Sequence, residues 1–143
     1  MGTSTFSGPL KAGTTREGAS KNTGYTVMAQ TGAWVQSTTA AAVGDIIIPA
    51  NSQILEIQLT VTVAPTAGNI SMGTSATSTE LFTALAAGTA ANVFLFGSAA
   101  TITDGDTWAD VGTSDVTIYA DCSAGTTGRG FITVSYIQGI DNA

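Results

Sequence analysis

Residues 46–63 read IIIPANSQILEIQLTVTV, and the second half alternates. Leu55, Ile57, Leu59, Val61 and Val63 fall on one side, with Glu56, Gln58, Thr60 and Thr62 on the other. A period of two gathers the apolar side chains on one face of a strand, whereas a helix would scatter them around its axis. The β-branched Ile, Val and Thr suit a pleated, half-buried surface. Before them, Ile46-Ile47-Ile48 is a short apolar run closed by Pro49, which has no N–H to give to a ladder and belongs at a strand end. Ala50-Asn51-Ser52 supply the bend. The stretch predicts two β segments joined by a tight corner, with one apolar face for other strands to cover.

The same punctuation continues in both directions. Upstream, Tyr25–Gln30 and Ala33–Gln36 are strand candidates broken at Thr31-Gly32, and Ser37–Val43 is a connection of small residues. Trp34 is expected in the core or at a subunit contact. Downstream, Ala64–Asn69 is a turn and Ile70–Gly73 begins a returning strand. Residues 74–92 are expected to be a loop with at most one or two helical turns. Ser78 or Thr79 would cap such a turn and Gly88 stop it, with Leu81, Phe82 and Leu85 filling gaps. Val93–Phe96 is a compact strand. Asp104-Gly105-Asp106, between Ile102 and Trp108, carries a hairpin signal. Asp115–Asp121 alternates again, Ser123–Gly130 is a flexible turn, and Phe131–Ile137 sets Ile132, Val134 and Tyr136 on one face.

About eight or nine short strands, punctuated by Gly, Asp and Ser turns at intervals of about ten residues, predict an all-β protein. The expectation is a single antiparallel β-sandwich or jelly-roll-like domain over residues 25–143. Residues 1–24 hold only Phe6 and Leu10 as large apolar groups and cannot form a core. They predict an extended, flexible N-terminal arm, ordered by lying across a neighbour.

With 143 residues the chain is long enough to bury a core as one domain. Only 10% of its residues are charged, against about a quarter in an average protein, and Thr, Ser, Ala and Gly take their place. The net charge of −6 is unevenly spread. Lys11, Arg16 and Lys21 sit in the arm with Glu17 alone opposing them, and from Tyr25 onward Arg129 is the sole base. An acidic body with a basic arm suits a partner-binding element; equally, three charges would simply keep an arm solvated. Generic nucleic-acid binding is not expected, because the body would repel phosphates. No leader and no run near the roughly 20 apolar residues of a membrane span is legible, so a soluble, non-membrane protein is expected.

Chemistry is hard to place. The chain has no histidine and one cysteine, which removes the commonest general base, Ser-His and Cys-His arrangements, an internal disulfide and any Cys-based metal cluster. Cys122 lacks a basic neighbour and reads as a small core-filling thiol. Asp104, Asp106, Asp110 and Asp115 match positions 1, 3, 7 and 12 of a calcium loop, which makes Asp104, Asp106 and Asp110 a weak metal candidate. Against it, Ala109 stands where the loop needs Gly, Trp108 occupies a ligand position, and the last ligand is not Glu. A solvated acidic turn is the plainer reading. Glu56 and Glu80 have no partner carboxylate in sequence for glycoside hydrolysis; Glu56 and Gln58 read as surface or interface groups. Residues 73–78 (GTSATS) and 123–130 (SAGTTGRG) lack the Gly-Lys-Ser/Thr ending of a phosphate loop. Neither an enzyme nor a cofactor is expected.

Three phrases carry a resemblance: TSTFSGPLKAGTTREG (3–18), IIIPANSQILEIQLTVTVAPTAGNISMGTS (46–75) and GRGFITVSYIQ (128–138). The first resembles the arm of head-associated proteins of tailed bacteriophages. The second, a Pro-Ala-x-Ser corner feeding an alternating strand, a loop and a strand ending in Gly-Thr, is similar to small virion proteins, and the third to their terminal strand. Together they span about half the chain; residues 74–110 carry none. The resemblance implies a capsid decoration (cement) protein, made in the host cytoplasm and bound to the outside of the phage head. There it would staple subunits of the major capsid protein, often as a homotrimer at three-fold positions. Phe6, Leu10, Lys11 and Arg16 are then the expected capsid or subunit contacts. Alternatives are a head–tail or fibre (adhesin) component, and a carbohydrate-binding β-sandwich stacking sugars on Trp34, Trp108 or Tyr119.

Overall fold

The structure, a computed structural model, describes residues 26–39, 41–65, 68–77, 79–86, 93–96 and 105–138. Among the described residues, eight strands and one short helix follow one another: β1 (Met28–Val35), β2 (Ala41–Ile48), β3 (Ser52–Val63), β4 (Asn69–Gly73), β5 (Phe82–Ala86), β6 (Val93–Phe96), α1 (Gly105–Ala109), β7 (Val116–Cys122) and β8 (Arg129–Gln138). They form two four-stranded antiparallel sheets, ordered β1-β8-β3-β6 and β2-β7-β4-β5. The all-β sandwich is therefore observed. The pairing is nested: β1 with β8, β2 with β7, β3 with β6 and β4 with β5. Sequential strands therefore alternate between sheets except at β4 and β5, which pair with each other in one sheet, and the corner after Ile48 carries the chain from one layer to the other.

That corner is built as its residues predict. Pro49 ends β2, and Asn51 takes φ 54°, a left-handed conformation that asparagine tolerates better than most residues. Asn51 N–H donates to Gly112 O at 2.7 Å, and Ala50 N–H donates to the Asp115 carboxylate at 2.9 Å. The core lies between the inner faces, where Ile46, Ile48, Ile57, Leu59, Val61, Ile70, Met72, Ile118, Ile132 and Val134 are all buried. Trp34 and Cys122 join them, as expected of a core tryptophan and a filling thiol.

The alternation in β3 is interrupted at both ends. Ile54 pairs with Tyr136 and Glu56 with Ser135, so Leu55 is an extra residue on one strand; Val61 and Val63 pair with consecutive residues of β8 in the same way. Each bulge reverses the side-chain phase. Ile57, Leu59 and Val61 stay inside, Ile54 replaces Leu55 in the core, and Leu55 and Val63 face out at 38% and 48% exposure.

Four other expectations are corrected. The strand expected to break at Thr31-Gly32 is continuous, because every residue from Met28 to Val35 pairs with β8. Gly32 serves instead as a crossing point, since a Cβ there would lie 2.5 Å from the Val43 carbonyl of β2. The small-residue connection ends earlier than expected, with β2 starting at Ala41. The segment read as a loop or helical turn contains β5, which gains a ladder with β4; Leu81 and Phe82 do plug the core. The Asp-Gly site is no hairpin. Its flanking strands β6 and β7 belong to different sheets, and α1 crosses between the layers with Trp108 buried and its indole N–H donating to Leu81 O at 2.9 Å.

Two glutamines, Gln30 in edge strand β1 and Gln36 just after its end, anchor neighbouring backbone. Gln30 holds the backbone of Ile47 on β2. Gln36, 2% exposed, donates from Nε2 to Ala124 O at 2.7 Å and accepts from Gly128 N at 2.8 Å. Buried polar groups are tolerated when both donor and acceptor are satisfied.

Candidate functional site

Of the aspartates proposed as a metal candidate, Asp110 holds a turn. Asp110 Oδ1 accepts from Gly112 N–H at 2.8 Å, and Gly112 takes φ 93° to close that turn. Asp115 is committed to Ala50 N–H. Asp106 lies exposed in the first turn of α1, and its carbonyl accepts from Asp110 N–H at 2.9 Å. Asp104 lies outside the described residues. Among the described residues no three His, Cys, Asp or Glu groups converge as a metal site. The expected contact residues Phe6, Leu10, Lys11 and Arg16, and the proposed arm of residues 1–24, also lie outside the described residues.

Trp34 and Trp108 are 3% and 6% exposed, so neither offers a face on which a sugar can stack. Tyr119 is half-buried on the outer side of β7. With Ser71, Thr77, Thr79 and Asp121 it lines a recess of about 70 Å³, well below the roughly 300 Å³ at which ligand pockets begin. The loop above it is drawn in by Glu80, whose carboxylate accepts from the Thr74 N–H at 2.8 Å and from the Thr74 hydroxyl. The Cys122 thiol is pushed above its ordinary range, chiefly by burial, with a backbone hydrogen bond to Ser37 opposing and the Asp121 carboxylate adding. A protonated, buried thiol is a poor nucleophile.

The outer face of the first sheet is different. Val35, Arg129 and Val63 form one row across β1, β8 and β3, and Ala33, Phe131 and Thr60 form a row two residues along. Neighbours in such rows stand about 5 Å apart and diagonal ones about 7–8 Å apart. Val35, Phe131 and Val63 are 50%, 49% and 48% exposed. The result is an apolar patch with a guanidinium among its members. The sequence reading missed it. Its signals were Phe131, out of phase with the buried Ile132, Val134 and Tyr136, and Arg129, the one base after residue 24. What places Val63 beside them is a bulge, and Val35 comes from a distant segment.

Comparison with known proteins gives a fold likeness. No family model matches the chain, and no curated protein matches it. A chain of the capsid of Ralstonia phage GP4 superposes with a TM-score of 0.59 at 18% identity, over 81% of this chain and 86% of that one. A chain of the cyanophage Pam1 capsid asymmetric unit superposes with a TM-score of 0.54 at 16% identity, over 79% and 85%. Both alignments run through most of each partner, so this chain shares its sandwich with chains found in two phage capsids.

Proposed function

We propose that this chain is a structural protein of a tailed-phage virion, a decoration protein that binds the outer capsid surface and bridges neighbouring subunits of the major capsid protein. The observation that carries the reading is the likeness to chains of two phage capsids over about four fifths of this chain and more of theirs. The nested strand pairing supports it, because rolling one long antiparallel ribbon into two layers is how a jelly roll is wound, a fold that viral capsid domains use. The reading assigns no catalysis and no cofactor, and it places neither nucleic acid nor membrane among the partners.

The mechanism is mechanical. Each copy adds contact area across a capsomer boundary, and many repeated contacts hold a shell that single contacts would not. In this reading the arm of residues 1–24 lies across an adjacent subunit, Phe6 and Leu10 supplying apolar anchors and Lys11 and Arg16 the charge. Copies made in the host cytoplasm join the particle as oligomers, three-fold ones by analogy with the resemblance above.

The test is the copy number per purified particle, by quantitative peptide mass spectrometry against the major capsid protein. A number comparable with that of capsid subunits, or of their three-fold positions, supports decoration. A handful of copies moves the chain to a head–tail or fibre role, and absence from particles overturns the virion reading.

A further inference from the structure

We propose that the Val35–Arg129–Val63 patch with Phe131 is a self-association surface that receives the acidic end of a second copy of this chain, so that copies join head to tail.

The argument begins with where charge sits. Of ten carboxylates, nine remain after Glu17 is set aside with the arm, and against them the body has Arg129 alone. Asp106, Asp110 and Asp115 belong to one end of the sandwich. Asp115 is bonded to Ala50, Asp110 to Gly112, and Gly112 to Asn51, at the corner from which β3 starts. Arg129 belongs to the other end, paired with Val63 where β3 finishes. The steps between the first and last of the 12 residues of β3, at about 3.3 Å each, separate the two by roughly 36 Å. That is several times the screening distance of about 8 Å in physiological salt. Within one copy the two ends ignore each other. Between two copies they are complementary.

The patch has the make-up of an interface centre. An aromatic ring and an arginine set among aliphatic side chains are the groups that dominate binding energy once water is excluded around them. Exposing two valines and a phenylalanine side by side is otherwise a cost to a soluble chain. The contact is heterologous, because one end meets the other. Repetition of a heterologous contact generates a closed ring if the rotation allows it. The inference deepens the oligomer part of the virion reading and rests on that part alone. Particle occupancy and self-association are measured separately, so either can fail without the other.

The experiment is sedimentation analysis of the full chain at two salt concentrations, for the native sequence and for Arg129→Glu, Phe131→Ser and the pair Arg129→Glu with Asp106→Lys. All substituted positions are exposed or half-exposed, and unchanged urea midpoints establish that each variant is folded. The native chain is expected to form an oligomer of fixed stoichiometry that loosens with salt. Each single variant should weaken association by at least about tenfold, and the charge-exchanged pair should recover it. A monomeric native chain, or an oligomer untouched by Arg129→Glu and Phe131→Ser, overturns the proposal. Weakening by Arg129→Glu without recovery in the pair removes the acidic end as the partner and overturns the head-to-tail contact. Deleting residues 1–24 should leave association intact; dissociation on deletion would put the arm in the patch's place.

Discussion

The carboxamide of Gln30 clasps the backbone of Ile47: Nε2 donates to Ile47 O at 2.6 Å and Oε1 accepts from Ile47 N–H at 3.0 Å. A side chain thus imitates a strand neighbour for β2, whose ladder with β7 jumps from Ala42 to Ile47 at an irregular stretch. Nε2 also donates to the Tyr136 hydroxyl at 3.0 Å, linking the clasp to the core of the first sheet. Gln30→Leu removes all three bonds while keeping the volume. It should cost about 1–2 kcal/mol, the lower range for groups that water can partly reach. Urea unfolding gives the value, and hydrogen exchange at the Ile47 amide should accelerate. A wild-type midpoint for Gln30→Leu would show that the clasp is dispensable.

Gly130 marks a tighter constraint. A Cβ on it would run into the Thr60 carbonyl of β3, a backbone atom that cannot swing aside. Gly130→Ala should therefore force β3 and β8 apart at the centre of the first sheet. The expected loss is about 1–3 kcal/mol or more, although alanine normally stabilises a strand position relative to glycine. A variant as stable as the native chain in denaturant would mean that the two strands are not in this register.

Cys122 predicts an alkaline weakness. Burial raises the thiol in the folded state, so the unfolded chain ionises first. The unfolded state then binds fewer protons, and stability falls as pH rises. The contribution is full below about pH 8.5, where an ordinary thiol is still protonated, and declines from there up to the folded value. Cys122→Ala removes the thiol from both states. The urea midpoint of the native chain should drop more between pH 7 and pH 10 than that of Cys122→Ala, and the thiol should react with a labelling reagent only on unfolding. Equal drops in the two proteins would rule the effect out.

Deleting residues 1–24 tests the role proposed for the arm. Among the described residues the buried core is a closed cluster running from Trp34 to Tyr136, so thermal stability should hold while attachment to particles lacking the protein weakens. Phe6→Ala together with Leu10→Ala should reproduce most of that loss if apolar anchoring dominates, and Lys11→Ala with Arg16→Ala if charge does. Undiminished attachment after deletion would leave the sandwich alone responsible for binding.

What the sequence made legible follows from where the deciding interactions lie. Alternation in β7 and β8 is local, and Ile118, Ile132, Val134 and Tyr136 are buried as their phase requires. The strand FTALA at 82–86 and the helix at Gly105–Ala109 were illegible because distant partners decide them. The first takes its ladder from β4, and the second is held by an indole that finds the carbonyl of Leu81, 27 residues back. The outer patch was illegible for the same reason. Val35, Val63 and Arg129 become neighbours only through the register of three strands.

The bulge at Leu55 makes a prediction that separates pattern from structure. Alternation puts Leu55 in the core in phase with Ile57 and leaves Ile54 on the polar side. The pairing reverses this: Ile54 opposite Tyr136 is 3% exposed, and Leu55, the unpaired residue, is 38% exposed. Ile54→Ala should then cost about 2–5 kcal/mol, as a deletion in a packed interior. Leu55→Ala should cost under about 1 kcal/mol, because the surface it loses is partly in water already. The comparison is internal, since both substitutions lie on one strand and remove similar volumes. Denaturant midpoints for the two variants decide it. If Leu55→Ala proves the costlier, β3 pairs with β8 without the bulge, and the outward turn of neighbouring side chains must be redrawn with it.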